Sequence, residues 1–433
     1  MLAIDTNCQQ LTIIMITMNK FTAIDFFCGM GGSSSGAISA GVDVTHAANH
    51  EKSAIECHAA NHPSTEHDLV NLQTCNVDRY PKYPTFALFS PECRAHTVAS
   101  GKVKPTLHKQ LSLLEEEVID PNAEQSRLTA YEVVRFVQYL QPTFVIVENV
   151  VEFSKYYLFR KWLHEITSLG YNYKMLSLNS QFFGVPQSRD RLYIVFWLKS
   201  IPQPNLNYQA IAWCNCCGKQ IRATQWWKNP RTFVGKYKQQ YLYICPNCSV
   251  QQAKPVPVKP DTTNAASIID WSLGATKISD RTTPLSPNTI NRIALQLGKY
   301  QNQPFISSYY SGGGAATIDK PLPTITTRER HALVVPPFLV QYYSRDDATS
   351  SIDKPLPTIT TNPRHALAIP HSLEVQNCGF RMLDAHELKL GMGFDEETIL
   401  LGSKKTKVKL LGNAVTPGVM TWIIKKCIES LKN

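Results

Sequence analysis

Two segments bring reactive groups to the ends of apolar runs. Phe86-Ala87-Leu88-Phe89 breaks into Ser90-Pro91-Glu92-Cys93-Arg94, and Phe144-Val145-Ile146-Val147 breaks into Glu148-Asn149-Val150. Each run reads as a buried strand. In an open α/β sheet, residues just past the carboxyl ends of strands line the ligand crevice. One crevice would then hold a thiol, Cys93, and a carboxylic acid, Glu148. A nucleophile beside an acid able to protonate a ring nitrogen suits covalent attack on an electron-poor heterocycle. The competing reading makes Cys93 a buried structural thiol.

The elements that must position this pair lie upstream. Asp25-Phe26-Phe27-Cys28-Gly29-Met30-Gly31-Gly32 follows a β-rich run and precedes a helical stretch. A glycine-dense turn there lets backbone approach a nucleotide-like ligand, although a plain tight turn would use the same glycines. The spacing does not match the dinucleotide fingerprint, and no phosphate-loop lysine follows. About twenty residues on, Glu51 stands where an acid accepts from ribose hydroxyls. Asp68 could accept from an adenine amine at the third strand. The expected cofactor is a nucleoside without pyrophosphate, which S-adenosylmethionine fits better than NAD.

These residues carry a resemblance to the DNA cytosine-C5 methyltransferases, from about Phe21 to the last helix. The turn is similar to the family's first cofactor motif, which implies cofactor contacts at Phe27, Gly29 and Gly31. Ser90-Pro91-Glu92-Cys93 resembles the Pro-Cys nucleophile loop, and Glu148-Asn149-Val150 matches Glu-Asn-Val. Gln187-Ser188-Arg189-Asp190-Arg191 matches Gln-x-Arg-x-Arg, preceded by Gly184-Val185-Pro186. Arg381-Met382-Leu383 with Glu387 and Gly393-Phe394 looks like the ninth motif. Gly412-Asn413-Ala414-Val415 looks like the tenth, which implies that Asn413 and Val415 complete the cofactor pocket.

The resemblance implies a mechanism. Cys93 would add to cytosine C6 while Glu148 donates to N3, and C5 would then attack the sulfonium methyl. Arg191 matches the arginine on the cytosine carbonyl; Arg189 is the second candidate, with a surface arginine the plain alternative for either. The target carbon is unreachable inside a duplex, so the base must be flipped out. The stretch from Arg94 to about Ser126 would be a mobile loop closing over it. One departure stands out: the family usually has Pro-Cys-Gln, whereas this chain has Glu92 and Arg94 around Cys93. Glu92 would raise the thiol pKa, and Arg94 could offset it.

The 433 residues, 43% hydrophobic and 18% charged, suit a globular protein of two domains rather than a disordered chain. No run approaches a transmembrane length, and Leu11 to Thr17 lacks a basic leader, so the sequence predicts a cytoplasmic protein without membrane contact. Met15 and Met18 leave open a later start. The net charge of +10 is concentrated: residues 191–260 hold ten lysines and arginines and no acid. Interleaved with Trp226, Trp227, Tyr237, Tyr241 and Tyr243, this block predicts a nucleic-acid surface, against a solvated charged face.

Inside it lie Cys214-Asn215-Cys216-Cys217 and Cys245-Pro246-Asn247-Cys248, with 27 residues between the knuckles. The spacing predicts structural Zn2+ held by Cys214, Cys217, Cys245 and Cys248, with Cys216 an alternative ligand in the first knuckle. Disulfides compete, but a reducing compartment disfavours them. Four thiolates would leave no open coordination position for catalysis.

Further on, Pro304 to Ser311 recurs as Pro337 to Ser344, Ile318 to Thr327 as Ile352 to Thr361, and His331-Ala332-Leu333 as His365-Ala366-Leu367. The period of about 34 and the Thr, Ile, Val and Tyr content predict short strands, with a fainter third copy over Asp280 to Arg292. Gly312 to Gly314 and Arg345 to Asp347 are candidate groove contacts; duplicated scaffold is the alternative.

The expected fold is α/β. A leader (1–20) precedes a doubly wound S-adenosylmethionine-binding domain (21–200), completed by 412–431 with a helix from Asn413 to Leu431. A basic zinc-ribbon-like insertion (201–260) and a mainly β target-recognition domain (261–400) follow, and 401–433 returns to the catalytic domain. The partner is double-stranded DNA read in a specific sequence, by a protein acting as a monomer. RNA as substrate and an inactive nucleic-acid-binding relative are the alternatives, and a cognate restriction endonuclease is left open.

Overall fold

The computed structural model describes residues 20–91, 121–300, 304–310, 314–335, 339–341, 349–350, 365–366 and 374–432. The leader, Glu92, Cys93, Arg94, most of the expected closing loop and most of the second repeat lie outside the described residues.

In chain order, β1 (Phe21–Phe26) leads to α1 (Gly32–Ser39), β2 (Val42–Asn49), α2 (Lys52–Asn61), β3 (Glu66–Leu69), β4 (Phe86–Phe89), α3 (Pro121–Leu140), β5 (Phe144–Asn149), α4 (Phe159–Ser168), β6 (Tyr171–Asn179) and β7 (Asp190–Leu198). The strands form one sheet in the order β3-β2-β1-β4-β5-β7-β6. β7 alone runs against its neighbours β5 and β6. Residues 121–126, expected in the loop, are helical.

The apolar runs are continuous because both faces of the sheet are covered. In β5, Val145 and Val147 face a core shared with Val133, Phe136 and Val137 of α3 and Trp162 and Ile166 of α4. Phe144 and Ile146 face the opposite core. That second core is closed from the far end of the chain, by Val419, Met420, Ile423 and Ile424. Trp162 is fully buried and its indole N–H donates to Ala130 O at 2.8 Å, so its one polar atom is satisfied. Truncating a ring of this kind costs about 3–5 kcal/mol.

Next comes a four-stranded antiparallel sheet of β8 (Gln209–Cys214), β9 (Lys219–Trp227), β10 (Tyr241–Ile244) and β11 (Pro257–Val258), with α5 (Pro246–Gln251) between the last two. Then β12 (Thr276–Lys277) and α6 (Pro287–Tyr300) precede β13 (Phe305–Ser308), β14 (Ala315–Thr317) and β15 (His331–Val335). The second repeat copy supplies β16 (Leu339–Gln341), β17 (Thr349–Ser350) and β18 (His365–Ala366), before β19 (Gly379–Met382).

The repeat is a duplication of strand pairing. Ser307 pairs with Ala332 and Ser308 with His331; the equivalent Val340 pairs with Ala366 and Gln341 with His365. Ile306 opposite Ala316 recurs as Leu339 opposite Ser350. The third copy expected over Asp280 to Arg292 is not a strand unit: α6 takes its second half, from Pro287 on. Ser286 Oγ accepts from Thr289 N at 3.3 Å and Pro287 opens the helix, so a capping serine and a first-turn proline set helical structure there.

α7 (Ala385–Gly391), α8 (Lys404–Asn413) and α9 (Pro417–Lys432) end the fold. The helix expected from Asn413 to Leu431 begins four residues later, at Pro417. α8 stops at Asn413, Ala414 is extended, and Pro417 restarts the chain in α9.

Candidate active site and cofactor pocket

β4 and β5 are parallel, with Phe89 opposite Val147, so their carboxyl ends open on the same side. Glu148 stands one residue past that pair. The antiparallel β7 brings its first residues to the same place, Glu148 lying opposite Tyr193. Arg191 Nε therefore meets Glu148 Oε1 at 3.0 Å, with both side chains largely buried. Burial pushes the Glu148 carboxyl above its ordinary 4.5, while Arg191 and then Arg189 pull it part of the way back. Asn149 Nδ2 donates to Pro91 O at 3.4 Å, tying the end of β5 to the segment that leads into Cys93. Cys93 itself lies outside the described residues.

Arg189 is not on the surface. It is buried, and its guanidinium donates to Ile325 O at 3.0 Å, Gly412 O at 2.9 Å and Ala414 O at 3.1 Å. Those three carbonyls come from the first repeat copy and the tenth-motif turn, so the side chain braces distant parts of the chain. Gln187 behaves alike, accepting from Ile325 N at 2.9 Å and donating to Gly391 O at 3.0 Å. Gly412 has no room for a side chain, because a Cβ would lie 2.4 Å from the Thr326–Thr327 peptide.

The glycine turn has left-handed backbone at Phe27 (φ 58°), Gly29 (φ 55°) and Gly31 (φ 100°). A Cβ at Gly29 would meet nothing within 4 Å, so the backbone is open to a ligand there. Gly32 is pressed under Val415, whose carbonyl oxygen would lie 2.0 Å from an added Cβ. The turn and the tenth motif are thus in contact, with Val415 buried and Asn413 exposed.

Glu51 caps α2 beside the end of β2. Its Oε1 accepts from Ser53 Oγ at 2.9 Å and from Lys409 Nζ at 2.7 Å. Partial burial pushes this carboxyl up, but Lys409 and Ser53 outweigh it and hold the group below its usual value. Asp68 accepts from Arg79 at 2.8 Å and Tyr80 at 2.9 Å, so both oxygens already have partners that an adenine amine would have to share.

The sequence reading missed a buried polar chain beneath the turn. Ser34 Oγ donates to Asp25 Oδ2 at 2.7 Å; His58 Nε2 lies 2.9 Å from Ser34 Oγ, and His58 Nδ1 2.8 Å from His67 Nε2. Asp25 is fully buried, its Oδ1 without a hydrogen-bond partner, and burial raises its pKa to about 7. Burial holds His58, His62 and His67 below the ordinary histidine value. The signal was present in three histidines within ten residues of one another, His58, His62 and His67.

At the far end of the β8–β11 sheet, Cys214, Cys217, Cys245 and Cys248 bring their sulfurs within 4.8 Å of one another. Cys214 and Cys248 are 3.8 Å apart and Cys217 and Cys245 4.0 Å, well beyond disulfide length. Cys216 is exposed, beside Gln252.

Residues 21–429 match the family described as C-5 cytosine-specific DNA methylase. The type II methyltransferase M.HgiDI of Herpetosiphon aurantiacus is 23% identical over 219 residues, 48% of this chain and 65% of that protein. M.HindV of Haemophilus influenzae is 27% identical over 180 residues, 41% of this chain and 53% of its own. The chain thus spans between half and two thirds of these curated relatives. The Entamoeba histolytica methyltransferase EhMeth aligns over 96% of this chain and 99% of its own with a TM-score of 0.52 at 13% identity. The S. pombe Dnmt2 methyltransferase aligns over 96% and 100%, with a TM-score of 0.51 at 15% identity. Both share the mixed α/β fold, and with the family match over nearly its whole length the chain belongs to the C-5 cytosine-specific DNA methylases.

Proposed function

We propose that this protein transfers a methyl group from S-adenosylmethionine to C5 of a flipped-out cytosine in a specific DNA sequence. The observation that carries the reading is the buried Glu148–Arg191 pair beside the segment running into Cys93. Burial favours the protonated carboxyl that a donor to cytosine N3 must be. Cys93 adds to C6, Glu148 donates to N3, and electron density moves to C5. Loss of the C5 proton and expulsion of the thiol restore the ring. Arg191 orients Glu148 and reaches toward the base carbonyl, while Arg189 acts as a positioning brace rather than a substrate contact.

The chain's residues fit the cofactor: an open, side-chain-free turn at Gly29, the ionised Glu51 for ribose hydroxyls, and Val415 closing from the other side. When bound, S-adenosylmethionine supplies an electrophilic methyl group. Phe27, Gly31, Asp68 and Asn413 complete the pocket in this reading.

The four-cysteine cluster holds one structural Zn2+. A tetrahedron with Zn–S bonds of about 2.3 Å has edges of about 3.8 Å, which the 3.8 and 4.0 Å sulfur pairs match. The ribbon around it offers DNA an aromatic and basic face. Trp213 is 57% exposed and pairs across the hairpin with Gln220, and exposed Ile211 pairs with Arg222. Catalytic residues 21–200 with 412–431 and recognition residues 261–400 would grip the duplex between them.

The test is covalent trapping. DNA carrying 5-fluorocytosine cannot lose the C5 substituent after methylation, so wild-type protein should remain attached and Cys93→Ala should not. An adduct in Cys93→Ala would move the nucleophile elsewhere, and trapping on RNA alone would change the substrate.

A further inference from the structure

We infer that the loop joining β9 to β10 is a positioning clamp for the Glu148–Arg191 pair, so that the cysteine ribbon, far along the same strands, governs turnover as well as DNA binding. The inference rests on the proposed roles of Glu148 and Arg191.

The loop grips both segments that carry the pair. Lys236 Nζ lies 2.7 Å from Glu152 Oε1, four residues after Glu148. The Tyr237 amide donates to Asp190 Oδ1 at 3.0 Å. Asp190 is the first residue of β7, and its own carbonyl accepts from Arg191 Nη1 at 2.8 Å. One residue before Lys236, Gly235 N donates to Ser177 Oγ at 3.0 Å, and Gln225 Nε2 of β9 donates to Ser177 O at 3.0 Å. Ser177 sits opposite Leu192, next to Arg191. Three consecutive residues, 235 to 237, therefore hold β6, the start of β7 and the turn after β5.

The grip is stiffened from the insertion side. Phe182 takes Tyr237 and Tyr243 edge-on at 4.9 and 5.0 Å between ring centres. Tyr243 on β10 is buried and lies two residues before Cys245. A free β9–β10 hairpin of this size is marginal alone. Whatever orders the cysteine end therefore orders the loop end, because the same two strands span both.

A merely decorative insertion would place only apolar or solvent-exposed groups against the sheet. This loop instead spends a lysine and a backbone amide on two carboxylates that flank the catalytic pair. Misplacing reacting groups by about 1 Å can cost up to about 100-fold in rate.

The experiment uses the full-length protein, with steady-state methylation and amide hydrogen exchange measured on Lys236→Met, Lys236→Arg and Cys245→Ser. Lys236→Met should lower kcat by about 10- to 100-fold with KM for S-adenosylmethionine unchanged, and Lys236→Arg should recover most of it. Exchange should rise at residues 148–152 and 190–192 in Lys236→Met and in Cys245→Ser. The double variant should be no slower than the worse single, since both act through one loop. Unchanged exchange at those residues, full kcat in Lys236→Met, or losses that multiply in the double variant would each overturn the clamp. Wild-type protein that transfers no methyl group would overturn the proposed activity alone, and the exchange measurement would still decide whether the loop holds these segments.

Discussion

Lys409 Nζ lies 2.7 Å from Glu51 Oε1, joining α8 to the cap of α2 across 358 residues of sequence. The lysine holds the carboxylate ionised, as the proposed contact of Glu51 with a ribose diol requires. Lys409→Met should weaken S-adenosylmethionine binding by about 3- to 10-fold, the scale of a partly exposed ion pair plus lost orientation. Titration calorimetry reads this directly. Unchanged affinity would mean that Glu51 needs no partner.

Glu148→Gln keeps the shape of the acid and removes its proton. Turnover should fall by at least about 100-fold with cofactor affinity little changed. Because burial raises the Glu148 pKa, wild-type kcat should lose its Glu148-dependent part as pH rises through that raised value, and Glu148→Gln should lack that arm of the profile. Collapse of cofactor binding in Glu148→Gln would make the residue a structural support instead.

Asp25 gives the fold its own pH dependence. Its pKa is raised from 3.8 to about 7, so the folded state binds the proton more tightly than the unfolded chain. That stability is present below about pH 4 and is lost as pH rises through 7, by at most about 4 kcal/mol. The depressed His58, His62 and His67 act oppositely, losing stability as pH falls below about 6.5. Thermal melts of wild-type and Asp25→Asn should therefore diverge as pH rises from about 4 to about 7, the wild type losing more stability across that range. Parallel curves would show that Asp25 ionises without cost.

Zinc should be present at one ion per chain in freshly purified, reduced protein. Cys245→Ser should release it and weaken DNA binding while leaving S-adenosylmethionine affinity intact, because the cofactor pocket draws on other segments. Metal analysis without zinc would leave the four thiols as a packed cluster.

The ends of β4 and β5 were legible because an apolar run that stops abruptly, as at Glu148, marks both a buried strand and its exit. The glycine turn was legible for a similar reason: only a few residue types tolerate its backbone. Arg189 was not, since its partners are carbonyls 136 and 225 residues away, and nothing local distinguishes a brace from a surface arginine. The third repeat copy was misread because proline, threonine and isoleucine suit strand edges, while Ser286-Pro287 also starts a helix. Asp25 and His58 escaped notice because a hydrogen-bonded chain across β1, α1, α2 and β3 has no sequence period.

The helix after the glycine turn is tied to the far end of the sequence: Thr421 Oγ1 donates to Gly36 O at 3.1 Å across 385 residues. On a ribosome, where residues emerge at about 5–20 per second, α1 waits roughly 20 to 80 seconds for that partner. Throughout that interval one face of the central sheet lacks the helix that covers it. A chain cut before Pro417 should therefore leave that face of the sheet uncovered.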